Sequence, residues 1–314
     1  MSNPLRSNHL ITSILTCPGQ GAQQPNMLQH WPEHPVFTQA RTLSEAVLGQ
    51  RLSALDHPEA LQHSRSVQLA LLINAVAWGR YLFSQGCQPN GLLGLSIGAY
   101  PAAVLAGCLK FEEALELVAL RGTLMQDAFP EGYGMMAVQG LDRYQLADIL
   151  ARHQAPVYLA NINAEQQCVL SGAWAALDAQ KPALQAAGGH CQPLRISVPS
   201  HCPLMESSAQ TLAKAFEAIT IQTPEIAYIS ASKARVLKTP EAIREDLAMN
   251  MARQVKWFDA SRLLVERGLK VAIELPPSGT LTGLLKRLMP QGHCLRTETT
   301  RLDTLQYLTQ PDTI

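Results

Sequence analysis

Hydrophobic positions along this chain come in two kinds of block. Short β-branched or leucine-rich runs end at glycine or proline, and longer stretches are either amphipathic or apolar throughout. Residues 11–17 form such a run and stop at Pro18-Gly19-Gln20-Gly21, which predicts a strand, a glycine turn and a helix beginning near Asn26. Residues 66–83 are almost continuously apolar over a helical length and end at Gly86-Cys87-Gln88-Pro89, so they predict a buried helix leading into a second strand at 92–95. That strand turns sharply at Ser96-Ile97-Gly98 into a helix with Pro101 in its first turns and Gly107 as its stop, and another helix is expected over 111–129. Such alternation predicts a parallel sheet covered by helices.

The pattern changes between Gly134 and Val198. Strand 135–138, helix 142–153, strands 156–161 and 167–172, helix 173–187 and strand 191–197 follow one another in the order βαββαβ of a ferredoxin-like unit. Afterwards the α/β pattern resumes with a strand at 226–230, helices over 240–250 and 256–267, and a strand at 270–275 that ends at Pro276-Pro277-Ser278-Gly279. The expected organisation is a discontinuous large domain of residues 1–130 and 199–314, with residues 131–198 as an inserted small domain.

A chain of 314 residues can bury a sizeable core, and with 16% charged residues and zero formal net charge it shows no preference for nucleic acid or a polybasic membrane anchor. The seven cysteines form no C-x-x-C pair and no histidine cluster has metal-ligand spacing, so free thiols and no metal site are expected. The first residues lack an apolar signal core and no run approaches a membrane span, which makes a cytoplasmic protein with no membrane partner the expectation.

Candidate chemistry starts at Gly94-Leu95-Ser96-Ile97-Gly98, a G-x-S-x-G turn between strand and helix, which lifts a serine hydroxyl above the sheet edge and points the Ile97 N–H at a developing oxyanion. Alone the motif is common, and Ser96 could equally cap the following helix. A serine nucleophile needs a base. Of nine histidines, His201 stands out between an apolar strand and a predicted helix at the return from small to large domain, whereas His9, His30, His34, His57, His63 and His153 lie in polar or terminal surroundings and are expected to be solvated. Position alone also allows His201 to be a capping or core residue. Cys202 is a weaker rival nucleophile, since nothing like an elbow surrounds it. On helix 111–129 the polar residues Glu112, Glu116, Thr123 and Asp127 share one face, and Arg121 projects about 150° from its centre, inward among Ala114, Leu117 and Met125. A buried guanidinium requires an anion, either an internal Asp or Glu or one that arrives with a substrate. Pro18-Gly19-Gln20-Gly21 lacks the third glycine and distal acid of a dinucleotide site. Its Gln20 N–H could serve as a second oxyanion donor, or the segment could simply be a turn.

Taken in order, Pro18-Gly19-Gln20-Gly21-Ala22-Gln23, Gly94-Leu95-Ser96-Ile97-Gly98, Arg121-Gly122 with Met125-Gln126, Asn161-Ile162-Asn163, the segment from Val198 through His201 to Met205, and Gly279-Thr280-Leu281-Thr282-Gly283-Leu284 closely resemble the malonyl-CoA:acyl-carrier-protein transacylase family over essentially the whole chain. The resemblance implies an α/β-hydrolase-like large domain beside the ferredoxin-like one. It also implies ping-pong transfer of malonyl from coenzyme A to the thiol of an acyl carrier protein through a malonyl-serine ester, with no tightly bound cofactor. It assigns Ser96 as nucleophile, His201 as base, the Gln20 and Ile97 N–H groups as oxyanion hole, Arg121 as partner of the malonyl carboxylate, and the Asn250 main-chain carbonyl as the group that orients His201. The family elbow usually reads Gly-His-Ser-x-Gly-Glu, and a later segment Glu-Gly-Pro-Gly. Here Leu95, Ala99 and Glu274-Leu275-Pro276-Pro277-Ser278-Gly279 replace them, which is most similar to the transacylase (epsilon) subunits of bacterial malonate decarboxylase. That likeness implies a carrier with a phosphoribosyl-dephospho-coenzyme A arm. The alternatives are malonyl transfer for fatty acid or polyketide synthesis and, more remotely, a serine esterase or thioesterase. In an esterase the histidine would normally follow an acidic residue near the C-terminus, and an inward arginine would have no use.

Overall fold

The computed structural model describes residues 10–129, 131–153 and 156–310. Its larger sheet has six strands in the order β10-β9-β1-β2-β7-β8. These are β1 (Ser13–Cys17), β2 (Gly91–Gly94), β7 (Ala227–Ser230), β8 (Arg235–Leu237), β9 (Val271–Glu274) and β10 (His293–Arg296). Five strands are parallel, and β8 adds an antiparallel edge by turning back on β7. The central strands are buried on both faces, which explains their continuous rather than alternating hydrophobicity. Successive residues still serve opposite faces. Leu15, Leu92 and Ile273 join a core with helices α1 (Pro35–Leu48), α2 (Ser64–Ser84), α3 (Ala99–Leu105) and α4 (Phe111–Ala128), together with α7 (Glu206–Ala215) and α8 (Pro240–Met249). Ile14, Leu93 and Ala272 face α9 (Trp257–Glu266) and α10 (Thr280–Leu288) instead.

The smaller sheet is antiparallel in the order β4-β5-β3-β6, built from β3 (Tyr133–Gln139), β4 (Val157–Ala164), β5 (Gln167–Ala173) and β6 (His190–Pro193). Helices α5 (Arg143–His153) and α6 (Trp174–Ala186) complete the βαββαβ unit, and α11 (Leu302–Thr309) ends the described chain. Residues 255 and 256 link the two sheets: Val255 N–H donates to Ala160 O at 2.9 Å and its carbonyl accepts from Ile162 N at 2.8 Å, both on β4, while Lys256 N–H donates at 2.8 Å to Ala231 O, just after β7.

Three expectations shift. The first long helix starts at Pro35, capped by His34, and not near Asn26: Asp56 holds the intervening segment in turns, its carboxylate taking the Leu28 N–H at 2.8 Å and its carbonyl the Asn26 N–H at 2.9 Å. His34 is therefore no solvated histidine, since its Nδ1 accepts from Val36 N at 3.3 Å and its ring meets Tyr81 edge-on. The last small-sheet strand ends at Pro193 and not at Ser197, because the chain then turns so that Ile196 packs toward the large core. His9 lies outside the described residues, as does the side chain of His153. Among the described residues no helix is long and apolar enough to cross a membrane, and no group of His, Cys, Asp or Glu could hold a metal.

Candidate active site

Parallel pairing of β1 with β2 sets Cys17 opposite Gly94, so the turns that follow both strands lie side by side at the carboxyl ends of the sheet, where open α/β sheets place their sites. The elbow depends on small residues. A Cβ on Gly94 would sit 2.0 Å from Gly98 O, and one on Gly98 would sit 2.2 Å from Cys17 O. This packing drives the chain through Ser96 at φ 55° and directly into a short 3-10 turn and α3. Leu95 N donates to Cys17 O at 3.1 Å, which ties the elbow to the Pro18–Gly21 turn. Among the described residues neither the Gln20 nor the Ile97 N–H has an intramolecular acceptor.

His201 also has positive φ, at 63°, and its ring comes to the serine from the far side of the chain. Its Nε2 is 2.7 Å from Ser96 Oγ. Its Nδ1 is 3.0 Å from Asn250 O and 3.1 Å from Arg253 O, and its own N–H donates to Met251 O at 2.7 Å. Two carbonyls can only accept, so they fix the ring proton on Nδ1 and leave the Nε2 lone pair facing the serine hydroxyl. Burial, reinforced by the charge of Arg121, pushes the imidazole pKa down to about 4, against the two carbonyls that raise it. A neutral ring so placed can take the serine proton as the oxygen attacks a carbonyl carbon.

Arg121 points inward from α4 and is 1% exposed. No acidic side chain meets it among the described residues. Its Nη1 donates to Gln68 Oε1, its Nη2 donates to Asn250 Oδ1 at 3.2 Å, and its guanidinium lies 5.9 Å from the Tyr100 ring centroid. Its Nε has no acceptor among the described residues. Asn250 thus touches both groups, His201 through its main chain and Arg121 through its side chain.

A protein-family model for the acyl transferase domain matches residues 15–300. The malonyl CoA-acyl carrier protein transacylase of Escherichia coli (strain K12) is 34% identical over 281 residues, which cover 87% of this chain and 91% of that protein. This chain belongs to the malonyl-CoA:acyl-carrier-protein transacylase family. The solved transacylase from Coxiella burnetii superposes with a TM-score of 0.90 at 32% identity, covering 96% of this chain and 100% of that one. A malonyl-transacylase solved in complex with a type II polyketide acyl-carrier protein gives a TM-score of 0.84 at 34% identity, covering 91% of this chain and 94% of that one.

The family's α/β architecture, with separate large and small sheets, is the one described above. Ser96, His201, Arg121 and Asn250, read from sequence at four distant points, meet in one place. Cys202 does not compete with the serine. Its Sγ donates to Pro199 O at 3.1 Å, and burial raises its pKa. Sequence reasoning missed Gln68, Tyr100 and the Arg253 carbonyl. For Gln68 a signal existed, since a polar amide inside the apolar run 66–83 must find a buried partner.

Proposed function

We propose that this transacylase moves malonyl from malonyl-CoA to a carrier-protein thiol through an ester on Ser96, and that it supplies fatty acid or polyketide synthesis. Arg121 carries this reading: a buried cation with no acidic partner, beside a serine–histidine pair at 2.7 Å, awaits a carboxylate brought by the acyl group. Ser96 Oγ attacks the thioester carbonyl while His201 Nε2 takes its proton. The Gln20 and Ile97 N–H groups hold the oxyanion, and on collapse the coenzyme A sulfur leaves with the proton from His201. The carrier thiol then attacks the ester, its proton passing to His201 and on to Ser96. Carbonyls at Nδ1 replace the acidic triad member of an esterase.

A cleft of about 700 Å³ reaches from Gln20 to Trp174, Tyr133 and Arg195, and we assign it to the thioester arm. It runs between the two units that we assign to residues 1–130 with 199–314 and to residues 131–198. Supply of fatty acid or polyketide carriers agrees with the relatives that match. Charging the carrier of malonate decarboxylase is a second reading, favoured by Leu95 and Ala99 in the elbow and by the segment Glu274-Leu275-Pro276-Pro277-Ser278-Gly279. Leu95 packs into the apolar cluster beneath α9 and α10, and Ala99 is buried at the start of α3, so neither blocks the serine.

Brief exposure to malonyl-CoA followed by intact mass measurement should show one malonyl adduct on the wild type and none on Ser96→Ala. No adduct on the wild type, or one that survives the substitution, rejects the serine route. Offering purified carriers with phosphopantetheine or phosphoribosyl-dephospho-coenzyme A arms then decides between the two supply roles.

A further inference from the structure

Among the described residues Arg121 is held by two primary amides and by no carboxylate, and the orientation of one of them is forced. Gln68 lies on α2, fully buried. Its amide nitrogen donates to Ser64 Oγ at 2.8 Å and to Met125 Sδ at 3.4 Å, which turns Oε1 toward Arg121 Nη1. A guanidinium has donors only, so an amide beside it must present its oxygen. Asn250 does the same from the other side, through Oδ1 at 3.2 Å from Nη2. Buried cations elsewhere are usually closed by a carboxylate, and a glutamate at position 68 would fit the same volume. Here a neutral oxygen occupies that place. It fixes the fork of the guanidinium through a charge-assisted hydrogen bond yet leaves its net charge intact.

We propose that Gln68 is a specificity-determining positioning residue, which aims Arg121 with an uncharged oxygen so that the full positive charge remains for the carboxylate of the acyl group. The proposal rests on the reading of Arg121 as the partner of the acyl carboxylate. Gln68 touches no reacting atom and acts only through the arginine. Its effect therefore falls on the choice between a carboxylated and a neutral acyl group, because an internal carboxylate would compete with the first and not with the second.

The test measures kcat and KM for malonyl-CoA and acetyl-CoA with wild type, Arg121→Ala, Gln68→Met and Gln68→Glu. Gln68→Met keeps the approximate volume and adds no charge, so it reports the loss of aim alone. The malonyl-to-acetyl ratio of kcat/KM should fall about tenfold or more in Gln68→Glu, chiefly through KM for malonyl-CoA, and by less in Gln68→Met. Equal losses of both acyl transfers in Gln68→Glu, or a ratio at least as low in Gln68→Met, overturn the proposal. Arg121→Ala separates the two claims. If it lowers both transfers alike, the arginine reading itself fails. If it selectively lowers malonyl transfer while Gln68→Glu does not, only the role of Gln68 is lost.

Discussion

His201 keeps its proton on Nδ1 because two main-chain carbonyls surround that nitrogen, and main-chain atoms carry no residue signature. Asn250 was expected only through a family resemblance, and nothing in the sequence marks Arg253 as the second acceptor. Arg121 was legible, since 3.6-residue periodicity alone turns it inward, but its neutral partners lie 53 and 129 positions away in the chain. The same surroundings set a pH response. Burial, then the charge of Arg121, lower the His201 pKa from 6.5 to about 4, so the ring stays neutral through the range in which a solvated histidine gains its proton. With wild type, kcat/KM for acetyl-CoA should hold steady as pH falls from 7 and decline only as pH approaches about 4. In Arg121→Ala one of the two lowering influences is gone, and the acid limb should move upward. A wild-type midpoint near the ordinary value of 6.5, or no upward movement in the variant, contradicts this account.

Helices α2 and α4 cross closely enough to bring Gln68 against Arg121, and Gly122 makes that approach possible. A Cβ on Gly122 would lie 2.5 Å from the Arg65 Cα, a main-chain atom that cannot step aside. Gly122→Ala should therefore destabilise the protein by about 1–3 kcal/mol through overpacking and, by separating the helices, lower malonyl transfer more than acetyl transfer. Gly283→Ala on α10 is the control, because open space surrounds that position and alanine favours a helix. Urea denaturation with the two acyl-CoA assays would check both, and a neutral Gly122→Ala would show that the helices are free to part. Element types were largely legible because period and punctuation are local properties. The start of α1 was not, since the turns before it are held by Asp56, about thirty residues later in the chain.

At the scale of the molecule, the order βαββαβ was enough to anticipate the small sheet, although of its three pairings only that of β4 with β5 joins consecutive strands. The large sheet was legible only as parallel. Its order places β1 between β2 and β9, which lies near the other end of the chain from β1, and no local pattern encodes that choice. The segment 250–256 runs from His201 to the small sheet and, through Lys256 N–H to Ala231 O at 2.8 Å, back to the end of β7. Its first residues hold His201, through the Asn250, Met251 and Arg253 carbonyls, and Val255 then pairs with Ala160 and Ile162 on β4 of the small sheet. The orientation of the base and the seating of the small sheet therefore share one stretch of backbone. Val255→Pro deletes the N–H that Ala160 O accepts and restricts Gln254 as well, which should loosen both ends of the segment together. Amide exchange should rise in peptides covering 157–164 and 250–256, and kcat should fall for malonyl and acetyl transfer alike, since the damage lies at His201 and not at Arg121. Faster exchange with unchanged kcat would mean that the seam holds the small sheet without positioning the base.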